Sequence, residues 1–174
     1  MVANGSLNKL RMKLILSILG SLALLTVACS TLKQAAVQPV KVEGTAMRPA
    51  LNDGDRVIIS RSFEKLERGD MVIFYYPAEP SKSYIKRIIG LPNEKVEIRE
   101  GKVIVNGQNL EEPYVDPDTN LSSRNLNEIT LPPDNFYVMG DNRDNSNDSR
   151  VWGPLPRKFI YGKFVGKYYA AKES

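Results

Sequence analysis

The chain has 174 residues, a formal charge of +4, no histidine and one cysteine, Cys29. These counts exclude a Ser-His-Asp or Cys-His catalytic arrangement, a histidine-held metal, an internal disulfide and a thiolate metal cluster. Acid–base work would fall to Asp, Glu, Tyr or Lys with no cofactor, and so mild a charge speaks for solubility or attraction to anionic lipid rather than for nucleic acid.

Residues 1–13 form a basic flank with Lys9, Arg11 and Lys13, followed by the uncharged, Leu-, Ile- and Ala-rich segment 14–32. Its length is close to the roughly 20 residues that cross a bilayer. As a membrane anchor, it would keep the basic N-terminus in the cytoplasm and place the rest of the chain outside. As an export signal, it offers a basic start, an apolar centre and small residues near its end. Thr26-Val27-Ala28-Cys29 is then an imperfect lipobox, with Thr where Leu is usual, and Cys29 would carry the lipid. Both readings put residues 33–174 at the outer face of the cytoplasmic membrane.

Beyond residue 33 the pattern becomes strand-like. Short β-branched and apolar runs predict strands at 37–42, 56–59, 71–76, 84–89 and 136–139. Two more, at 96–99 and 102–105, flank Glu100-Gly101, a tight hairpin signal. Residues 113–135 are polar and rich in Pro and Asn, which predicts an exposed excursion. The expected fold class is a mostly β domain of short strands behind an N-terminal membrane helix or signal segment.

Lys86 is the first candidate for chemistry. It lies in Tyr84-Ile85-Lys86-Arg87-Ile88-Ile89, with apolar residues on both sides. A lysine facing inward is desolvated, which lowers its pKa and permits a neutral amine. Such an amine can act as general base for a hydroxyl nucleophile. The competing reading is an outward lysine guarding an edge strand. A second polar cluster, Gly140-Asp141-Asn142-Arg143-Asp144-Asn145-Ser146-Asn147-Asp148-Ser149-Arg150, alternates acids with arginines. Pairing of Asp148 with Arg150 or Arg143 would make a rigid loop able to support a site.

Four segments, in order, resemble the motifs of the bacterial type I signal peptidases. Glu43-Gly44-Thr45-Ala46-Met47-Arg48-Pro49 resembles the nucleophile motif. Arg68-Gly69-Asp70-Met71-Val72-Ile73-Phe74 resembles the strand motif after it, and Tyr84 to Pro92 the motif carrying the general-base lysine. Residues 140–153 resemble the last motif. The resemblance implies a signal peptidase I-like β-fold and a membrane-held Ser/Lys endopeptidase that removes signal peptides from exported preproteins. It makes Lys86 the general base, places Ser146 within hydrogen-bonding reach of its amine, and gives Asp141, Arg143, Asp148 and Arg150 supporting roles.

One residue departs from the pattern. The family's serine stands immediately before Met47, and this chain has Ala46 there. A methyl group cannot attack a carbonyl, although the backbone N–H of Ala46 can still face an oxyanion. Thr45 should face away from the site, so Ser146 is the better substitute nucleophile. The alternative function is that of an inactive paralogue or inactivated mutant that binds signal peptides without cutting them.

Overall fold

The computed structural model describes residues 37–122 and 124–169. The segment 14–32, with Cys29, lies outside them. Among the described residues no helix is long and apolar enough to cross a membrane.

The chain is mostly β, as the runs of β-branched residues predict. A seven-stranded sheet has the order β1-β2-β11-β3-β4-β9-β10, and a four-stranded sheet the order β7-β6-β5-β8. In chain order the strands are β1 (Val37–Lys41), β2 (Arg56–Ser60), β3 (Met71–Tyr76), β4 (Glu79–Gly90), β5 (Lys95–Arg99), β6 (Lys102–Val105), β7 (Gln108–Asn109), β8 (Leu126–Thr130), β9 (Asn135–Met139), β10 (Leu155–Pro156) and β11 (Ile160–Tyr169). One short helix, α1 (Ser149–Trp152), follows the polar cluster.

Burial explains the strand order. In β2, Val57 and Ile59 are buried while their neighbours are not, the signature of a strand with one covered face. In β3, three consecutive residues, Val72, Ile73 and Phe74, are buried. Both faces of this central strand are therefore covered. Val72 and Phe74 pack with Ile88 and Val138 in one cluster. Ile73 joins Val57, Ile59, Met47 and Leu51 in a second cluster on the opposite face. A third cluster holds the small sheet against the large one through Ile89, Val96, Leu131 and Tyr137. At that joint Gly90 is crowded, since a Cβ there would meet the side chains of Val96 and Leu131.

The hairpin at Glu100-Gly101 forms as predicted, with φ of 50° and 77° at its two residues, the left-handed pair of a type I′ turn. Asn106-Gly107 repeats that geometry at 53° and 79° and links β6 to β7, a second hairpin beyond the one expected. Residues 113–135 hold more structure than an exposed excursion would. They contain a 3-10 turn, Pro117–Thr119, and β8, which pairs antiparallel with β5. Buried Leu131 anchors their end.

Candidate active site

Residues 42–55 form a loop closed at its base. The Val42 N–H donates to Asp55 O at 2.8 Å, and the Gly54 N–H to Val42 O at 2.9 Å. Gly44, at φ 84°, turns its N–H onto Asp53 Oδ1 at 2.7 Å. Met47 and Leu51 are buried beneath the loop, and Lys167 on β11 pairs with Asp55 at 2.6 Å. Ala46 is therefore fixed, half-buried, on a braced turn. Its carbonyl accepts from the Asn142 N–H at 3.1 Å. Its own N–H has no hydrogen-bond partner among the described residues.

Lys86 sits on β4 opposite Val72 of β3 and is only 4% exposed, so its side chain faces inward. Its amine donates to Ile85 O at 3.1 Å and lies 5.3 Å from the centre of the Tyr84 ring. Burial lowers the amine from its ordinary 10.5 to about 8. The Asp148 and Asp141 carboxylates oppose that shift, and Arg150 adds to it.

Ala46 and Lys86 line one groove of about 540 Å³. One wall is residues 40–44, at and after the end of β1, and the other is residues 81–85 of β4. Val57, Ile73 and Tyr161 also line it. Both walls carry free strand edges among the described residues. β1 has only β2 as neighbour. β4 pairs with β9 only from Arg87 to Gly90, leaving the same edge of residues 79–86 unpaired.

The polar cluster stands behind Lys86 and is almost fully paired. Asp148 is buried and holds Arg150 through two bonds of 2.8 Å. It also accepts from the Gly140 N–H at 3.0 Å and caps α1 at the Arg150 N–H. Burial pushes its carboxyl up, but the bonds and charge of Arg150 and the Gly140 N–H win, and the carboxyl is held below its ordinary range. Asp141 takes Arg87 in a two-pronged pair at 2.8 and 2.5 Å. Arg143, 1% exposed, takes Glu112 at 2.8 and 2.5 Å and bonds Gly140 O at 3.1 Å. Of the two partners expected for Asp148, the structure thus selects Arg150.

The hydrogen bond expected between Ser146 and Lys86 is not made. Ser146 Oγ is buried with no hydrogen-bond partner among the described residues. It lies near enough to Asp148 to help lower that carboxyl, without adopting hydrogen-bond geometry. It packs against Gly140, where a Cβ would collide with both Ser146 Oγ and Ala46 O. This lodging also argues against Ser146 as a substitute nucleophile, because its buried oxygen is closed to an incoming carbonyl. Thr45 is engaged too, its Oγ1 accepting from Asn145 Nδ2 at 2.9 Å.

Three residues of this assembly were not singled out from sequence. Arg87 follows Lys86 and so faces the other side of β4, where it bonds Gly69 O at 2.8 Å and lies 4.1 Å from the centre of the Tyr114 ring. Glu112 and Tyr114 sit in the polar stretch before the 3-10 turn. The available signal was a charge count: Arg87 and Arg143 needed two buried carboxylates, and the cluster could spare only Asp141.

A sequence model described as "Signal peptidase, peptidase S26" matches residues 12–169. This chain belongs to that family. A signal peptidase I of Leptolyngbya laminosa is 39% identical over 141 residues, which are 74% of this chain and 66% of that protein. The probable signal peptidase I-1 of Synechocystis is 34% identical, covering 77% of this chain and 72% of its own length. Signal peptidase IB of Staphylococcus aureus is 32% identical, with 79% of this chain and 80% of its own covered. The chain thus spans just under two thirds of the first relative's length. A solved signal peptidase I of Enterococcus faecalis superposes with a TM-score of 0.49 at 32% identity, over 58% of this chain and 97% of its own.

Proposed function

We propose that this chain receives the cleavage region of exported preproteins as an extended strand, in a site built for Ser/Lys hydrolysis, and that with Ala46 in place it holds that strand without cutting it. One observation carries the reading. Ala46 and a buried Lys86 of lowered pKa line the same groove, between two strand edges that lack partners among the described residues. A peptide laid between β1 and the first half of β4 would gain main-chain hydrogen bonds from either side, the recognition mode of strand addition.

A serine at position 46 would complete the chemistry. The neutral Lys86 amine would take the hydroxyl proton while the oxygen attacks the scissile carbonyl. The N–H of residue 46 would face the developing oxyanion, and the proton would pass from Lys86 to the departing amine. Asp148, Arg150, Asp141 and Arg143 act through position, fixing the loop that touches Ala46 O. The basic flank and segment 14–32 would hold the site at the membrane's outer face, by a span or by lipid on Cys29.

The test is cleavage of a labelled preprotein peptide by the full chain. Ala46→Ser is expected to cut, the chain as it stands to bind without turnover, and Ala46→Ser/Lys86→Ala to do no more than bind. In a serine protease of another fold, loss of the nucleophile lowers kcat by about 10⁶-fold, so the contrast should be large. Cleavage by the Ala46 chain that Lys86→Ala abolishes would restore the endopeptidase reading with another hydroxyl in the serine's place.

A further inference from the structure

We propose that the turn at residues 119–122 is a second contact surface for the bound peptide, and that Leu121 grips the segment running on past the cleavage point. The inference rests on the peptide-groove reading above and adds to it the far side of the site.

The groove is lined by residues 40–44, 46, 47, 57, 73, 81–86 and 161, and neither the 119–122 turn nor the loop 142–145 contributes to that lining. A chain continuing past Ala46 meets what stands beside that residue, the loop 142–145. That loop touches the nucleophile turn twice, through the Asn142 N–H on Ala46 O and Asn145 Nδ2 on Thr45 Oγ1.

The same loop carries the 119–122 turn. The Asp144 carboxylate accepts from the Leu121 N–H at 2.8 Å, the Ser122 N–H at 3.0 Å and Ser122 Oγ at 2.6 Å. The Asp144 N–H donates back to Thr119 O at 2.9 Å. The approach to the turn is braced as well. Asp116 caps the preceding 3-10 turn at the Asp118 N–H, 3.0 Å away, and Asn120 Nδ2 reaches Gly101 O at 3.3 Å.

A lone exposed leucine needs no explanation in general. Leu121 differs by its setting. It is 74% exposed, more than any other large apolar side chain described, yet its backbone is bound by an acid two residues from the amide that holds Ala46 O. A rigid backbone presenting an apolar side chain beside a peptide site is a preformed contact, with its ordering cost already met before binding. The partner is an extended peptide carrying an apolar side chain within the first few residues after the cleavage point.

The test uses the full Ala46 chain and two labelled peptides, read by fluorescence anisotropy. One peptide ends at the cleavage point with an amidated C-terminus. The other continues for about five residues, including an apolar one. The longer peptide is expected to bind roughly five- to tenfold more tightly, the scale of partly burying one leucine. Leu121→Ala should remove that advantage and leave the short peptide's affinity unchanged. Leu121→Met should keep the advantage. Asp144→Ala, which frees the turn, should reduce it. Equal affinity for the two peptides, or an advantage that survives Leu121→Ala, overturns the proposal while leaving the groove intact. Failure of the short peptide to bind defeats the groove reading, and this proposal with it.

Discussion

Lys86 destabilises the fold it belongs to. Its amine titrates near 10.5 when unfolded and at about 8 when folded, a gap worth about 3 kcal/mol at 1.36 kcal/mol per pH unit. Between those two values the unfolded chain binds more protons, so stability rises with pH across the window and the full penalty applies below pH 8. Lys86→Met should therefore raise the unfolding free energy by about 2–3 kcal/mol at pH 7, with the gain shrinking as pH approaches 10.5. Denaturant melts at several pH values would show it, and an unchanged midpoint would mean the amine is not desolvated. On the proposed mechanism the same amine would set a rate profile. In Ala46→Ser, kcat/KM should climb with pH and level off above about 8, since only the neutral form can accept the proton. The residue scale was half legible. Apolar neighbours on both sides of Lys86 allowed an inward lysine, but a guarding lysine on an edge strand fits the same letters. Only the exposure of Lys86 in the folded chain, 4%, decides the face.

The polar cluster behaves as an element although it contains little regular structure. Asp141, Arg143, Asp148 and Arg150 are each matched in an ion pair, and two of the matches reach outside the cluster, to Arg87 and Glu112. Removing one partner of a buried pair strands the other charge at a cost of about 3–5 kcal/mol. Glu112→Ala should therefore destabilise strongly, by leaving Arg143 buried and alone. Glu112→Leu with Arg143→Met should recover much of that loss, since both charges go together. Thermal unfolding of the single and double variants would separate a buried pair from a surface one, for which the single change would cost little. Gly140→Ala is a sharper probe, because its methyl would push on Ala46 O and the Ser146 hydroxyl. In the Ala46→Ser background it should abolish cleavage even if the protein stays folded. The cluster's acids and arginines could be read from sequence, and so could the pairing of Asp148 with one of them. Its partner choice could not, because Glu112 is 31 residues from Arg143 and Arg87 is 54 from Asp141. The predicted strands share this division. Runs such as 71–76 were plain from composition, while β8 was hidden in a polar stretch and exists because β5 offers it an edge.

At the scale of the whole molecule, the end of β1 with the turn after it and the first half of β4 line a common groove. Binding of a peptide there should slow amide hydrogen exchange in both β1 and residues 79–86. Protection of one wall alone would show a peptide resting on a single edge. The two edges also filter what can enter. A helix spends its N–H and C=O groups on itself, and a strand already in a sheet has spent at least one side. Only a segment with both sides of its backbone unspent can satisfy β1 and β4 together. On the proposed reading, a peptide held by both edges would have to arrive with its recognition segment still unfolded. The site would then compete with the folding of its own clients, and a client that folded early around that segment would escape it however well its side chains match.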